Sequence, residues 1–183
     1  MLDVFSRSQR ARVCEYSRGE SRIPTPCVLS GSGDVARVVR REGGRVFHLM
    51  GAEVPLEEGL LTTASSRMGS EARCAEGVQV VRLPLPEDFR AEEGAEVVVV
   101  PNAYELRRDP RRLVDAVIRL REGCGFGRLL CMLGIAEPST IALLAYMGVD
   151  MFDDSLPRAA GISGIRQMPE AEVRTGRDES EAN

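Results

Sequence analysis

"GIAEPSTIALLAYMGVDMFDDSLPR", residues 134–158, holds the pattern on which the fold turns. Residues 138–147 read as a helix opened by Glu137-Pro138 and ended by Gly148. Residues 149–152 then read as a strand, and Asp153-Asp154 closes it. Parallel α/β folds gather their reactive groups at the C-terminal ends of strands. The same pair also fits a strand-end turn with solvated carboxylates, so the flanking segments have to decide.

Working back along the chain, residues 128–133 form an apolar run, and "AEVVVVPNA" is β-branched without interruption. Runs of that kind are strands buried on both faces. Between them lies "DPRRLVDAVIRLREGCG", with Asp109 as N-cap, Pro110 in the first turn, Leu113, Val117 and Leu120 as the stripe and Gly123 as the stop. Residues 78–83 read as a further strand, ended by "PLPED", and residues 45–50 as another. "GSGDVARVVRREGG" is expected to be a helix, with Asp34 near its start and Val35, Val38 and Val39 on one face. Residues 51–77 are the least legible part. Residues 12–29 read as a hairpin turning on Gly19.

Alternation of this kind specifies an α/β fold with a parallel sheet of about five strands and right-handed crossovers. A closed eight-fold barrel needs about 250 residues, and 183 are present. The expectation is an incomplete (β/α) barrel preceded by an N-terminal hairpin. Its last strand would be an open edge, with Val149, Met151 and Phe152 awaiting a covering partner. Residues 1–158 are expected to form this domain and residues 159–183 a polar, disordered tail.

Composition narrows the chemistry. Net charge is −4, so no global basic field points to nucleic acid. All 24 basic residues are arginine, which removes lysine Schiff-base or lysine-base chemistry from these residues. Arg107, Arg108, Arg111, Arg112, Arg119 and Arg121 crowd one helix and its approach; phosphate contacts and a solvated outer face balanced by acids account for them equally. The five cysteines show no CxxC spacing and His48 is the only histidine, so a zinc site has no support. Cys27 and Cys131 read as small core residues and His48 as part of a buried strand. No apolar run approaches the roughly 18 residues of a membrane span, and the N-terminus lacks the order of a signal peptide. A cytoplasmic protein without cofactor is expected.

"LGIAEPSTIALLAYMGVDMFDDSLPR" resembles the tRNA-guanine transglycosylases, barrel enzymes that exchange a guanine in tRNA for a 7-deazaguanine. In that family a glycine-rich loop, a helix and a Gly-Val-Asp-Met-Phe-Asp-like strand follow one another, and the strand carries the nucleophile. The resemblance places Asp153 at the nucleophile, Leu133 and Gly134 beneath the base, and Arg158 at a position that contacts tRNA. "ARVCEYSRGESRIPTP" is similar to the family's opening hairpin. "GIAEPS" together with "RRDPRRLVDAVIRLRE" is most similar to the truncated transglycosylase-like domain of archaeosine synthase.

The departures bear on function. "SGSGDVA" does not reproduce the family's Asp-Ser-Gly-Gly-Phe-Gln-like motif with its second aspartate. The cysteine-histidine zinc site has no counterpart. The lysine-transfer motif of archaeosine synthase cannot occur in a sequence without lysine. The resemblance therefore implies a transglycosylase-like subunit of archaeosine biosynthesis, non-catalytic on its own, in which Asp153 is vestigial and Glu137 or Asp154 is a conceivable proton relay. Its partners would be tRNA and either a second archaeosine-synthase subunit or a second copy of the chain. Two alternatives stand beside it: a minimal transglycosylase completed by oligomerisation, with Asp153 as active nucleophile, and an unrelated small α/β enzyme.

Overall fold

Four consecutive valines build the centre of the molecule. In the computed structural model, which describes residues 1–30, 36–41, 44–50, 52–56 and 76–174, Val97–Val100 is a strand with every residue buried. Burying each valine side chain contributes on the order of 1.5–3 kcal/mol. Both faces must therefore be covered, and two separate cores do so. Val98 and Val100 pack toward the helices, while Val97 and Val99 pack toward two antiparallel sheets.

The chain opens with β1 (Leu2–Ser8), β2 (Ala11–Arg18) and β3 (Ser21–Thr25), which pair antiparallel in that order. Gly19, at φ +59°, makes the β2–β3 turn expected from the sequence. β4 (Cys27–Leu29) leaves this sheet for the central one. A second antiparallel sheet follows, of β5 (Ala36–Arg41), β6 (Gly44–Leu49) and β7 (Ala52–Leu56). β8 (Val78–Val80), β9 (Val97–Val100), β10 (Leu129–Met132) and β11 (Met151–Asp153) complete the central sheet, whose order is β4-β11-β10-β9-β8 and whose pairs are all parallel. α1 (Pro110–Cys124) joins β9 to β10, and α2 (Ile141–Tyr146) joins β10 to β11. α3 (Ser155–Ile162) and a hairpin of β12 (Ile165–Gln167) and β13 (Glu172–Arg174) follow.

The mixed α/β class, the parallel five-stranded sheet, the N-terminal hairpin and the central places of β9 and β10 match the sequence expectation. Several particulars do not. Residues 36–41 are a strand rather than a helix, because Val38 and Val39 pair with Phe47 and Val46 of β6; Asp34 and Val35 lie outside the described residues. β6 consequently belongs to the antiparallel sheet, and β4 takes its place as the fifth parallel strand. α1 ends at Gly125 (φ +66°), with Gly123 inside it. α2 begins after Thr140, shorter than expected. The residues assigned to a disordered tail include the end of α3 and the β12–β13 hairpin, tied down by a bond from Arg107 Nη2 to Glu172 Oε1 at 2.9 Å.

The correction with most consequence concerns the last parallel strand. β11 is not an edge: β10 pairs with one side of it and β4 with the other. Val149, Met151 and Phe152 are each no more than 1% exposed. The chain itself supplies the cover that a partner was expected to provide. Among the described strands the central sheet remains open, with edges at β4 and β8.

Candidate functional site

Parallel strands deliver their last residues to one end of the sheet. Asn102 follows β9, Leu133 and Gly134 follow β10, and Asp153 ends β11. Asn102 is committed to structure. Its amide accepts from Leu83 N and donates to Leu83 O, both at 2.9 Å, and so fastens the loop after β8.

Asp153 is 1% exposed. Its Oδ1 accepts from Gly134 N at 2.5 Å and its Oδ2 from Ser155 N at 3.3 Å. Gly134 adopts φ +70°, a conformation open to glycine that turns its N–H back onto the carboxylate. Burial raises the Asp153 pKa, and the bonds from Ser155 and Gly134 draw it partly back. The structure thus brings Asp153 and Gly134 into contact, with Leu133 buried beside them. A nucleophilic carboxylate must reach its electrophile; here both oxygens are held by backbone N–H groups in a sealed position.

The other residues singled out from the sequence stand farther out. Asp154 Oδ2 accepts from Arg158 Nε at 2.7 Å, on an exposed turn of α3. Glu137 is ion-paired with Arg107, which also binds Glu172. A cavity of about 440 Å³ opens between this loop and the β12–β13 hairpin, lined by Arg107, Arg108, Glu137, Ser139, Met168 and Glu170 among others. Another of about 390 Å³ lies between Leu83, Leu85 and Leu106 and the α1 residues Arg112 and Arg119. Neither is lined by Asp153, Leu133 or Gly134. The arginine cluster does not act as one surface: Arg121 is buried, Arg107 is saturated by acids and Arg119 donates to Pro86 O. His48 lies 3.8 Å from Glu53 within β6–β7. Among the described residues no group of three or more histidine, cysteine, aspartate or glutamate side chains could hold a metal.

Sequence reasoning missed the most highly connected carboxylate among the described residues, Asp150, just before β11. Arg12 grips it from β2, with Nε to Oδ1 at 2.7 Å and Nη2 to Oδ2 at 2.8 Å. Leu130 N donates to the same Oδ2 at 2.8 Å. Arg12 also donates to the carbonyls of Phe126 and Arg128. Burial works against the Arg12 charge, but Asp150 more than offsets it and its pKa is raised. The available signal was a lone aspartate inside the apolar run "GVDMF", since a buried carboxylate requires a partner.

Over 178 residues, 90% of the chain, the sequence is 32% identical to archaeosine synthase of Haloferax volcanii, covering 28% of that protein. Over 91 residues, half of the chain, it is 33% identical to archaeosine synthase subunit alpha of Thermoplasma acidophilum, covering 18% of it. The chain spans less than a third of the length of these relatives. No family model matches it, and no solved structure does. Similarity running through nearly all its residues relates the chain to the archaeosine synthases.

Proposed function

We propose that the chain is a transglycosylase-like module of archaeosine formation on tRNA, one that does not exchange guanine by itself and works with a separate archaeosine-synthase subunit. The observation that carries this reading is the state of Asp153. At the position where the resemblance puts a nucleophile, both carboxylate oxygens are engaged by Gly134 and Ser155 N–H groups and the residue is 1% exposed. Glu137, one conceivable relay, is neutralised by Arg107. The topology supports the structural half of the proposal. The first parallel strand, β4, lies beside the last, β11, which is the adjacency a (β/α) barrel makes on closing. We read the sheet as part of such a barrel, with the β5–β6–β7 sheet inserted in chain order between β4 and β8.

An exchange assay tests this. The full chain is incubated with archaeal tRNA, labelled guanine and the 7-deazaguanine precursor, with Asp153→Ala alongside. No incorporation above background is expected for either protein. Incorporation that disappears in Asp153→Ala would overturn the proposal.

A further inference from the structure

Arg107 and Arg108 come from the loop after β9 and Glu137 from the loop after β10. The cavity of about 440 Å³ that they line with the β12–β13 hairpin therefore opens at the C-terminal end of the parallel sheet. Open α/β sheets take their ligands at that end. One group inside this cavity is already a bound carboxylate. Glu172 Oε1 accepts from Arg107 Nη2 and from Gln167 Nε2, each at 2.9 Å. The ion pair between Arg107 Nε and Glu137 holds the guanidinium fork in place. The bond from Gln167 Nε2 fixes which way its amide faces, and leaves Oε1 buried with no hydrogen-bond partner among the described residues. Glu172 cannot supply that partner, since a carboxylate only accepts. It is also a replaceable occupant. Its side chain is 49% exposed, and it stands on a three-residue strand that pairs only with β12. An ion pair so open to water contributes little.

We propose that Arg107 and Gln167 form a seat for the carboxylate of a small ligand, and that Glu172 keeps the seat filled from within the chain. An incoming carboxylate displaces Glu172 into solvent and takes both N–H groups, with a charge-assisted bond from Arg107. A hydroxyl or amino N–H next to that carboxylate donates to Gln167 Oε1, the contact that Glu172 leaves unmade. Glu137 and Glu170 line the same cavity, so a singly charged carboxylate is favoured over doubly charged phosphate, which they repel more strongly. The seat is independent of any role on tRNA, and no RNA is needed to test it.

Lactate serves as the probe, carrying a carboxylate with a hydroxyl beside it. It is titrated at fixed ionic strength into the full chain, Glu172→Ala and Glu172→Ala/Gln167→Ala, followed by saturation-transfer NMR. Glu172→Ala is expected to bind lactate roughly tenfold or more tighter than the parent, the factor by which a seat filled nine-tenths of the time weakens its ligand. Adding Gln167→Ala should remove most of that gain. Lactamide, of the same shape without the charge, should gain nothing. Glu172→Gln keeps the side chain's length and one acceptor; it should show a smaller gain and serves if alanine loosens the hairpin. Equal lactate affinity in the parent and both Glu172 variants would overturn the seat, as would a matching gain for lactamide or an undiminished gain in the double variant. Inorganic phosphate binding Glu172→Ala as tightly as lactate would overturn its assignment to carboxylates.

Discussion

Asp153, where the resemblance puts a nucleophile, has both carboxylate oxygens engaged by the backbone. Its two bonds tie the loop after β10 to the start of α3. Asp153→Ala would leave the buried Gly134 N–H without its acceptor, at about 1–3 kcal/mol, and the half-buried Ser155 N–H without its own. Asp153→Asn retains one acceptor and should cost less. The pH dependence separates this role from a solvated carboxylate. Burial raises the folded-state pKa, so the folded chain holds the proton more tightly than the unfolded one. That linkage stabilises the fold below the unfolded carboxyl value, about 3.9, and is lost as pH rises through the folded value. The stability of the parent relative to Asp153→Asn should therefore decline as pH rises across that window, read by urea unfolding at a series of pH values. A difference moving in the parent's favour would show that hydrogen bonding to the charged form outweighs burial.

Among the elements, α1 was legible almost to its ends and β5 was not, for physical reasons. Every determinant of α1 is local: Asp109 caps Arg112 N at 3.1 Å, Pro110 opens the helix, and Leu113, Val117 and Leu120 are buried as their spacing implies. Its end was misplaced because Gly123 serves packing rather than termination. A β-carbon there would lie 2.5 Å from Phe89 Cδ1 and 2.7 Å from Phe89 O. Gly→Ala inside a helix ordinarily stabilises by roughly 0.5–1 kcal/mol. Gly123→Ala should instead destabilise by about 1–3 kcal/mol, the usual penalty of overpacking, as measured by denaturant midpoint; a stabilised variant would mean that the loop carrying Phe89 yields freely. For β5 the deciding partner lies on another strand. "ARVVRR" accommodates a helical stripe or a ladder, and pairing with β6 selects the ladder. α3 and the β12–β13 hairpin were missed because each is too short to show a period.

Across the whole molecule, what sequence could not convey was which strand lies beside which. β4 is three residues long and meets β11 more than a hundred positions later, so nothing local marks the pairing that turns the supposed edge into an interior strand. A comparable distance separates Arg12 from the other members of the Arg12–Asp150–Arg121 cluster, which joins the N-terminal sheet, α1 and the central sheet. The two arginines are not equivalent. Arg12 makes four bonds and neutralises Asp150 in a bidentate pair. Arg121 donates to Arg128 O at 3.1 Å and stands 3.5 Å from Asp150, while its Nε has no hydrogen-bond partner. Burial lowers its pKa and Asp150 offsets that only in part. Removing Arg12 strands a buried carboxylate, a loss of about 3–5 kcal/mol. Replacing Arg121 with methionine removes a second buried cation for which the cluster has one carboxylate, and Arg128 O keeps its bond from Arg12 at 2.5 Å. Such replacements are often neutral or stabilising, by roughly 1–4 kcal/mol. Chemical unfolding should therefore place Arg121→Met at or above the parent and Arg12→Ala far below it. Equal losses in the two variants would show that Asp150 needs both guanidinium groups.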